Sequence, residues 1–390
     1  MADKNVRLAY LLAFLKNSWF WLGIWVFYYL RFTDYSGIGL IETVLIITFT
    51  LTEIPTGAIA DLLGKRKILV ISFFLQGLGG LLMGLSPSFG YLALSVLISS
   101  IGVVLYSGTL ESLVFDSLKE QHRESEYGKA ISNINTLCLI SPAVCGAIGG
   151  YMYIISPSLP FITSGVLCLI GAVASLFFTE PDIDTEKFNL KNFLVQTSQG
   201  IKQLFKTIDV KKQTWSLLLI GFVVIIADEM LNSFLGVEFG FDPKQIGLFW
   251  GLIYLVSAFG SKFTPNIYSK LGEKFTLFLT GLVIAISLVV SPVLGLILGG
   301  ASLLIRSTFQ AIYYNLASIN INKHTESKYR ATTLSTFNML RNIPYAISAF
   351  FLGTLADIYS AKTLAVFLGI FLLFTLFLQN SIFLKKVKYN

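Results

Sequence analysis

Charge is what this sequence has least of. Of its 390 residues only 13% are Asp, Glu, Lys or Arg, against about 25% in a soluble domain. Hydrophobic residues make up 54%, which excludes an ordinary water-facing surface. Histidine is nearly absent. His122 and His324 are the two present, both in expected loops, and no His/Cys/Asp/Glu spacing suits a metal. That argues against a membrane enzyme, and neither metal nor cofactor is expected. The three cysteines, Cys138, Cys145 and Cys168, lie in apolar runs and read as small buried hydrophobes. No GxxxxGK[ST] stretch occurs, which excludes a P-loop ATP-driven pump.

Long apolar runs are what the sequence has instead. A spanning helix needs about 20 mostly apolar residues. Twelve such runs fall near 8–31, 37–60, 68–87, 91–117, 130–155, 159–179, 213–236, 244–268, 275–291, 293–318, 331–357 and 361–384. The first follows Met1–Arg7 directly and reads as a spanning helix, not a cleavable leader. Only Ser291 and Pro292 separate the ninth from the tenth. The expected fold class is therefore an all-α integral membrane protein of twelve transmembrane helices.

One long polar stretch divides the chain. The expected domains are a six-helix bundle over 1–180, a linker over 181–212 and a second six-helix bundle over 213–390. Within the linker, NFLVQTSQGIKQLF has helical periodicity and suits a membrane surface. The two bundles look like distant copies. SEYGKAISNIN (125–135) follows the fourth run and SKYRATTLSTFN (327–338) follows the tenth. Related halves with a site at the midplane are a transporter pattern.

Lys and Arg placement sets the expected orientation. With a cytoplasmic N-terminus, the outside loops hold only Arg31, Lys244 and Lys362. The remaining loop cations fall inside, six lysines of the linker among them. The net charge of +7 is then an inner-leaflet address, not a nucleic-acid patch. Both termini are expected in the cytoplasm of a bacterial inner membrane, with the lipid bilayer as partner and a monomer as the working unit.

The turn after the second run reads Gly57-Ala-Ile-Ala-Asp61-Leu-Leu-Gly64-Lys65-Arg66-Lys67. It resembles the signature loop of the major facilitator superfamily (MFS), G-x-x-x-D-(R/K)-x-G-R-(R/K), departing at Leu62. The second-half counterpart, NIYSKLGEKF (266–275), keeps Gly272 but has Ser269 where the aspartate would stand. Gly57 allows close helix approach and Gly64 a tight turn. Asp61 is placed to meet a helix N-terminus in the opposite half, which the resemblance makes the eleventh. Such a contact latches the cytoplasmic side. The resemblance also implies that Asp116, at the end of the fourth helix, pairs with Lys65 or Arg66 as part of this gate.

Ionisable residues inside spanning helices are expensive and are functional candidates by default. Arg306 and Arg341 lie near the midplane and are expected to meet an aqueous cavity or a carboxylate. Glu111 is the first candidate for carrying protons, or else a partner for one of those arginines. Glu53, just before Pro55 and Gly57, is a weaker one. Asp228 and Glu229 are adjacent and point to different sides of their helix. Glu42 and Lys262 lie near helix ends and carry no assigned role. The family places helices 1, 4, 7 and 10 around its cavity, and Lys16, Glu111, Asp228 or Glu229, and Arg306 give each one charged position. Asn17, Tyr106, Tyr313 and Asn315 add polar contacts there, and Trp19, Trp21 and Trp25 a stacking surface.

Ser141-Pro142 followed by Gly146, Gly149 and Gly150 partly resembles the glycine-proline motif of drug antiporters. The paired glycines come later than in that pattern, so close helix packing serves as well. The leading expectation is a secondary transporter moving a small organic solute or drug outward, driven by protons. An importer of an organic anion or nutrient is the alternative. A non-transporting scaffold or sensor is the remote one.

Overall fold

The computed structural model describes residues 2–181, 190–326 and 329–387, with side chains at 50–63, 190–194, 196, 331 and 380–387 outside the description. Everything described is helix or connection, and the helices fall into twelve spans. The first is broken, α1 (Ala2–Lys16) and α2 (Trp25–Tyr29) flanking a non-helical stretch. The second is α3 (Tyr35–Leu63) and the third α4 (Lys65–Gly84). The fourth is broken again, into α5 (Phe89–Tyr106) and α6 (Thr109–Lys119). The fifth and sixth are α7 (Tyr127–Ile155) and α8 (Leu159–Ser175). A helix α9 (Leu190–Leu204) forms on the amphipathic linker stretch.

The seventh span joins α10 (Ile208–Ile226), a π-helix over Ala227–Leu231 and α11 (Asn232–Glu238). The rest are α12 (Pro243–Leu271), α13 (Glu273–Val289), α14 (Leu296–His324), α15 (Arg330–Tyr359) and α16 (Ala361–Val387). The least distinct boundary in the sequence, at Ser291 and Pro292, is a short 3-10 turn between α13 and α14.

Two compact units emerge. One contains residues 1–33, 44–193 and 242–254, the other 34–43, 194–241 and 255–390. The chain crosses between them within α3, α9 and α12. In the first unit Leu12, Phe73, Leu110, Leu113 and Phe178 share a buried core. Outward positions are apolar too, with Ile155, Ile297 and Phe377 exposed, as a lipid-facing surface requires.

Small residues set the closest approaches. A Cβ on Gly149 would strike the carbonyl of Phe20, and one on Gly150 would lie 2.6 Å from the carbonyl of Pro243. The Ser141–Gly150 segment therefore serves close backbone packing in the first unit. Gly149→Ala forces main chain apart where no side chain can yield. It is expected to lower stability by roughly 2 kcal/mol, readable as an earlier thermal transition in detergent. An unchanged transition would remove this packing role.

Candidate functional site

In the first unit the functional side chains gather where helices break. α1 ends at Lys16, and α2 begins only after Gly23, whose φ of 81° is a left-handed conformation. Asn17 closes the end of α1, donating to the Ala13 carbonyl at 2.8 Å and to Cys138 Sγ at 3.2 Å. The Lys16 ammonium lies 5.4 Å from the Trp19 ring centroid and 5.2 Å from that of Tyr106, within cation–π reach of both. Trp19 stacks on Trp21. Glu111 stands close enough to act electrostatically on that ammonium.

The sequence reads as one continuous fourth helix, and this is corrected. Gly108, with φ of 72°, separates α5 from α6, a backbone state that glycine enters freely. The break puts Glu111 in the first turn of α6, where the helix dipole favours an anion. Its Oε2 is enclosed and finds no hydrogen-bond partner among the described residues.

The second unit carries a separate cluster on the seventh span. The π-helix over Ala227–Leu231 contains both Asp228 and Glu229, and π-bulges concentrate at functional sites. Tyr314 on α14 donates to Asp228 Oδ2 at 2.9 Å. The Arg341 guanidinium lies 5.0 Å from the Tyr314 ring centroid and acts on both carboxylates. Glu229 is exposed even though it lies well inside its span, while Asp228, Tyr314 and Arg341 are half-buried.

Three expectations need correcting in this unit. Glu42 is not solvated at a helix end: it is 7% exposed and accepts a hydrogen bond of 3.2 Å from Tyr345. Arg306 meets no carboxylate among the described residues. It is fully enclosed, its Nε donating to Asn232 Oδ1 at 2.7 Å and its Nη1 to the Ser287 carbonyl at 3.3 Å. Asn232 in turn donates to Gln310, so an amide network replaces the counter-ion. Tyr313 is also enclosed, its hydroxyl spent on the Leu217 carbonyl at 2.7 Å, and its neighbour Tyr314 is the residue that reaches the carboxylates. Asn315 ties α14 to α12 through Ser261 Oγ at 2.6 Å.

At the signature turn, Gly64 has φ of 88° and opens α4. Of the two cations weighed for Asp116, Lys65 is the one that pairs with it, both side chains nearly buried. The side chains of Glu53, Gly57 and Asp61 lie outside the described residues. Arg66 contributes through its backbone. Glu180 accepts from Lys65 N at 2.7 Å and Arg66 N at 2.8 Å, capping α4 from the end of the sixth span. Sequence reasoning missed Glu180, for which only its place beside a helix start gives a signal.

A sequence profile of the Major Facilitator Superfamily matches residues 7–348. The chain belongs to this superfamily. It is 24% identical over 382 residues to the uncharacterized MFS-type transporter YxaM of Bacillus subtilis, covering 94% of this chain and 92% of that protein. It is 22% identical over 323 residues to Multidrug resistance protein 2 of Bacillus subtilis, covering 77% and 76%. The fold matches the crystal structure of the nucleoside transporter NupG with a TM-score of 0.80 over 98% of both chains, at 15% identity. As an MFS protein, the chain is a multi-pass membrane transporter with twelve spans in two pseudo-symmetric bundles.

Proposed function

We propose that this transporter exports a small organic solute or drug in exchange for protons by alternating access. The observation that carries the reading is the placement of carboxylates at helix irregularities. Glu111 opens a half-helix and Glu229 lies exposed on a π-helix. Irregular backbone at membrane depth is tolerated where it is enclosed by protein or lines a cavity, and acids placed there serve as proton relays. Likeness to a multidrug resistance protein supports export. In this reading Lys16 is the solute-contacting candidate of the first unit and Arg341, separately, that of the second. Both termini are cytoplasmic, following the Lys and Arg distribution, and the unit is a monomer.

Import of an organic anion is the second reading, favoured by Lys16 and Arg341, which rest on aromatic rings without an ion pair among the described residues. Liposomes holding the purified protein and an internal pH dye separate the two. Organic anions, cations and neutral drugs are added outside, with Glu111→Gln in parallel. Internal alkalinisation on adding a compound is the expected result and means antiport. Acidification means symport and overturns export. A response that survives Glu111→Gln removes Glu111 from the proton path.

A further inference from the structure

The last turn between spans, after α15, repeats the signature turn that follows α3. Residues 57–65 read Gly57, Asp61 four later, Gly64 three later, then Lys65. Residues 353–362 read Gly353, Asp357 four later, Ser360 three later, then Ala361 and Lys362. Two other turns between consecutive spans share the frame without the acid, which is Tyr153 before Ser156 and Ser269 before Gly272. Aspartate stands only in the turns after α3 and α15.

The backbone repeats as well. Ser360 has φ of 79° and ψ of 153°, beside 88° and 142° at Gly64. A left-handed serine is strained, since its Cβ crowds the chain, so the turn is held from elsewhere. Part of the hold is Glu238, which accepts from Ala361 N at 2.6 Å and Lys362 N at 2.9 Å. Glu180 does the same to Lys65 N and Arg66 N. In both turns a carboxylate from another span binds the first two amides of the helix that follows.

Here the aspartate is described. Asp357 Oδ1 accepts from Tyr35 N at 2.9 Å and Oδ2 from Ser36 N at 2.8 Å. Those are the first two amides of α3, and Asp34 takes the third, Gly37 N, at 3.0 Å. The helix dipole adds to these charge-assisted bonds. Gly353 makes the approach possible, because a Cβ there would strike the Tyr35 carbonyl. Gly39 meets Ala349 in the same way one turn along.

We propose that Asp357 is a second latch of the transport cycle, an inverted copy of the signature-loop latch that holds the start of α3 to the end of α15. α3 is 29 residues long, about 43 Å at 1.5 Å per residue, so this latch and the Asp61 turn sit at opposite ends of one helix. The first residues of α3 pack with the second unit and the remainder with the first. Holding α3 at Tyr35 resists opening at that end, and releasing it permits opening. Inverted repeats of three helices nested within each MFS half account for the duplication. The inference needs neither the solute nor the coupling ion proposed above.

Spin labels at Leu85 and Val293, 68% and 83% exposed in the turns that follow α4 and α13, one in each unit, report opening by electron–electron distance measurement. The labelled chain has Cys138, Cys145 and Cys168 replaced by Ser and is held in lipid nanodiscs without solute. Asp357→Ala is expected to shift the open-to-closed ratio by roughly three- to thirtyfold, and Asp357→Asn by less, because its amide oxygen still accepts. Asp61→Asn is expected to shift the ratio the other way. Glu238→Gln weakens the cap on α16 without touching the start of α3, and is expected to lower thermal stability while leaving the ratio unchanged. An unaltered distribution in both Asp357 variants overturns the latch. So does an equal shift in Glu238→Gln, which would make opening a consequence of any lost cap.

Discussion

Asp116→Ala is expected to cost about 3–5 kcal/mol of stability, one of the two largest effects foreseen for a single side chain. The reason is enclosure. Lys65 and Asp116 are ion-paired with side chains only 10% and 12% exposed, so removing the acid leaves a largely enclosed ammonium without its partner. Lys65→Met strands the acid in the same way. The double change Lys65→Met with Asp116→Leu leaves no buried charge and is expected to recover most of the loss, since replacing a buried pair by apolar groups of similar size is often neutral. Thermal unfolding of the three variants in one detergent decides it. A double variant as unstable as either single one would show that the pair acts through its shape and not its charge. The pair joins the first residue of α4 to α6, so in the proposed cycle it braces the signature turn. The backbone amide of Lys65 is held separately by Glu180 and survives both substitutions.

The spans were legible because membrane insertion writes itself into local composition. A run of about 20 apolar residues is visible without knowing what it packs on, and even the break at Ser291 and Pro292 shows as two residues. What escaped notice depends on distant neighbours. Glu42 looks solvated from its place near a helix start, but Tyr345, 303 positions away, encloses it. Glu180 belongs to a plain acidic stretch until the fold sets it on the first amides of α4. Gly108 resembles the many glycines that serve close packing, yet no atom lies within 4 Å of a Cβ built there. Its need is for a left-handed φ, which composition does not reveal. Tyr313 and Tyr314 are adjacent in sequence, and only helix rotation decides which one meets Asp228. The sequence places Arg306 near the midplane, and the fold encloses it. Its solution, an amide and a carbonyl in place of a carboxylate, depends on Asn232 and Ser287 arriving from two other helices.

The other large effect is expected at the π-helix of the seventh span. Asp228 and Glu229 differ in what holds them. Asp228 is bound by Tyr314, whereas Glu229 is exposed and shows no such bond among the described residues. In the proposed cycle Glu229 is therefore the one of the two that takes up and releases the proton. Glu229→Gln keeps the size and polarity of the side chain and removes only its titration. In proteoliposomes it is expected to reduce gradient-driven solute accumulation by about tenfold or more, worth at least 1.4 kcal/mol of coupling, while solute-for-solute exchange continues. Asp228→Asn retains an oxygen for the Tyr314 hydroxyl but loses the negative charge opposing Arg341, so it is expected to weaken solute exchange as well. The split between accumulation and exchange is the informative quantity. If Glu229→Gln lowers both equally, the residue shapes the binding surface and does not carry the proton. If it lowers neither while Glu111→Gln abolishes accumulation, the proton path runs through the half-helix of the fourth span.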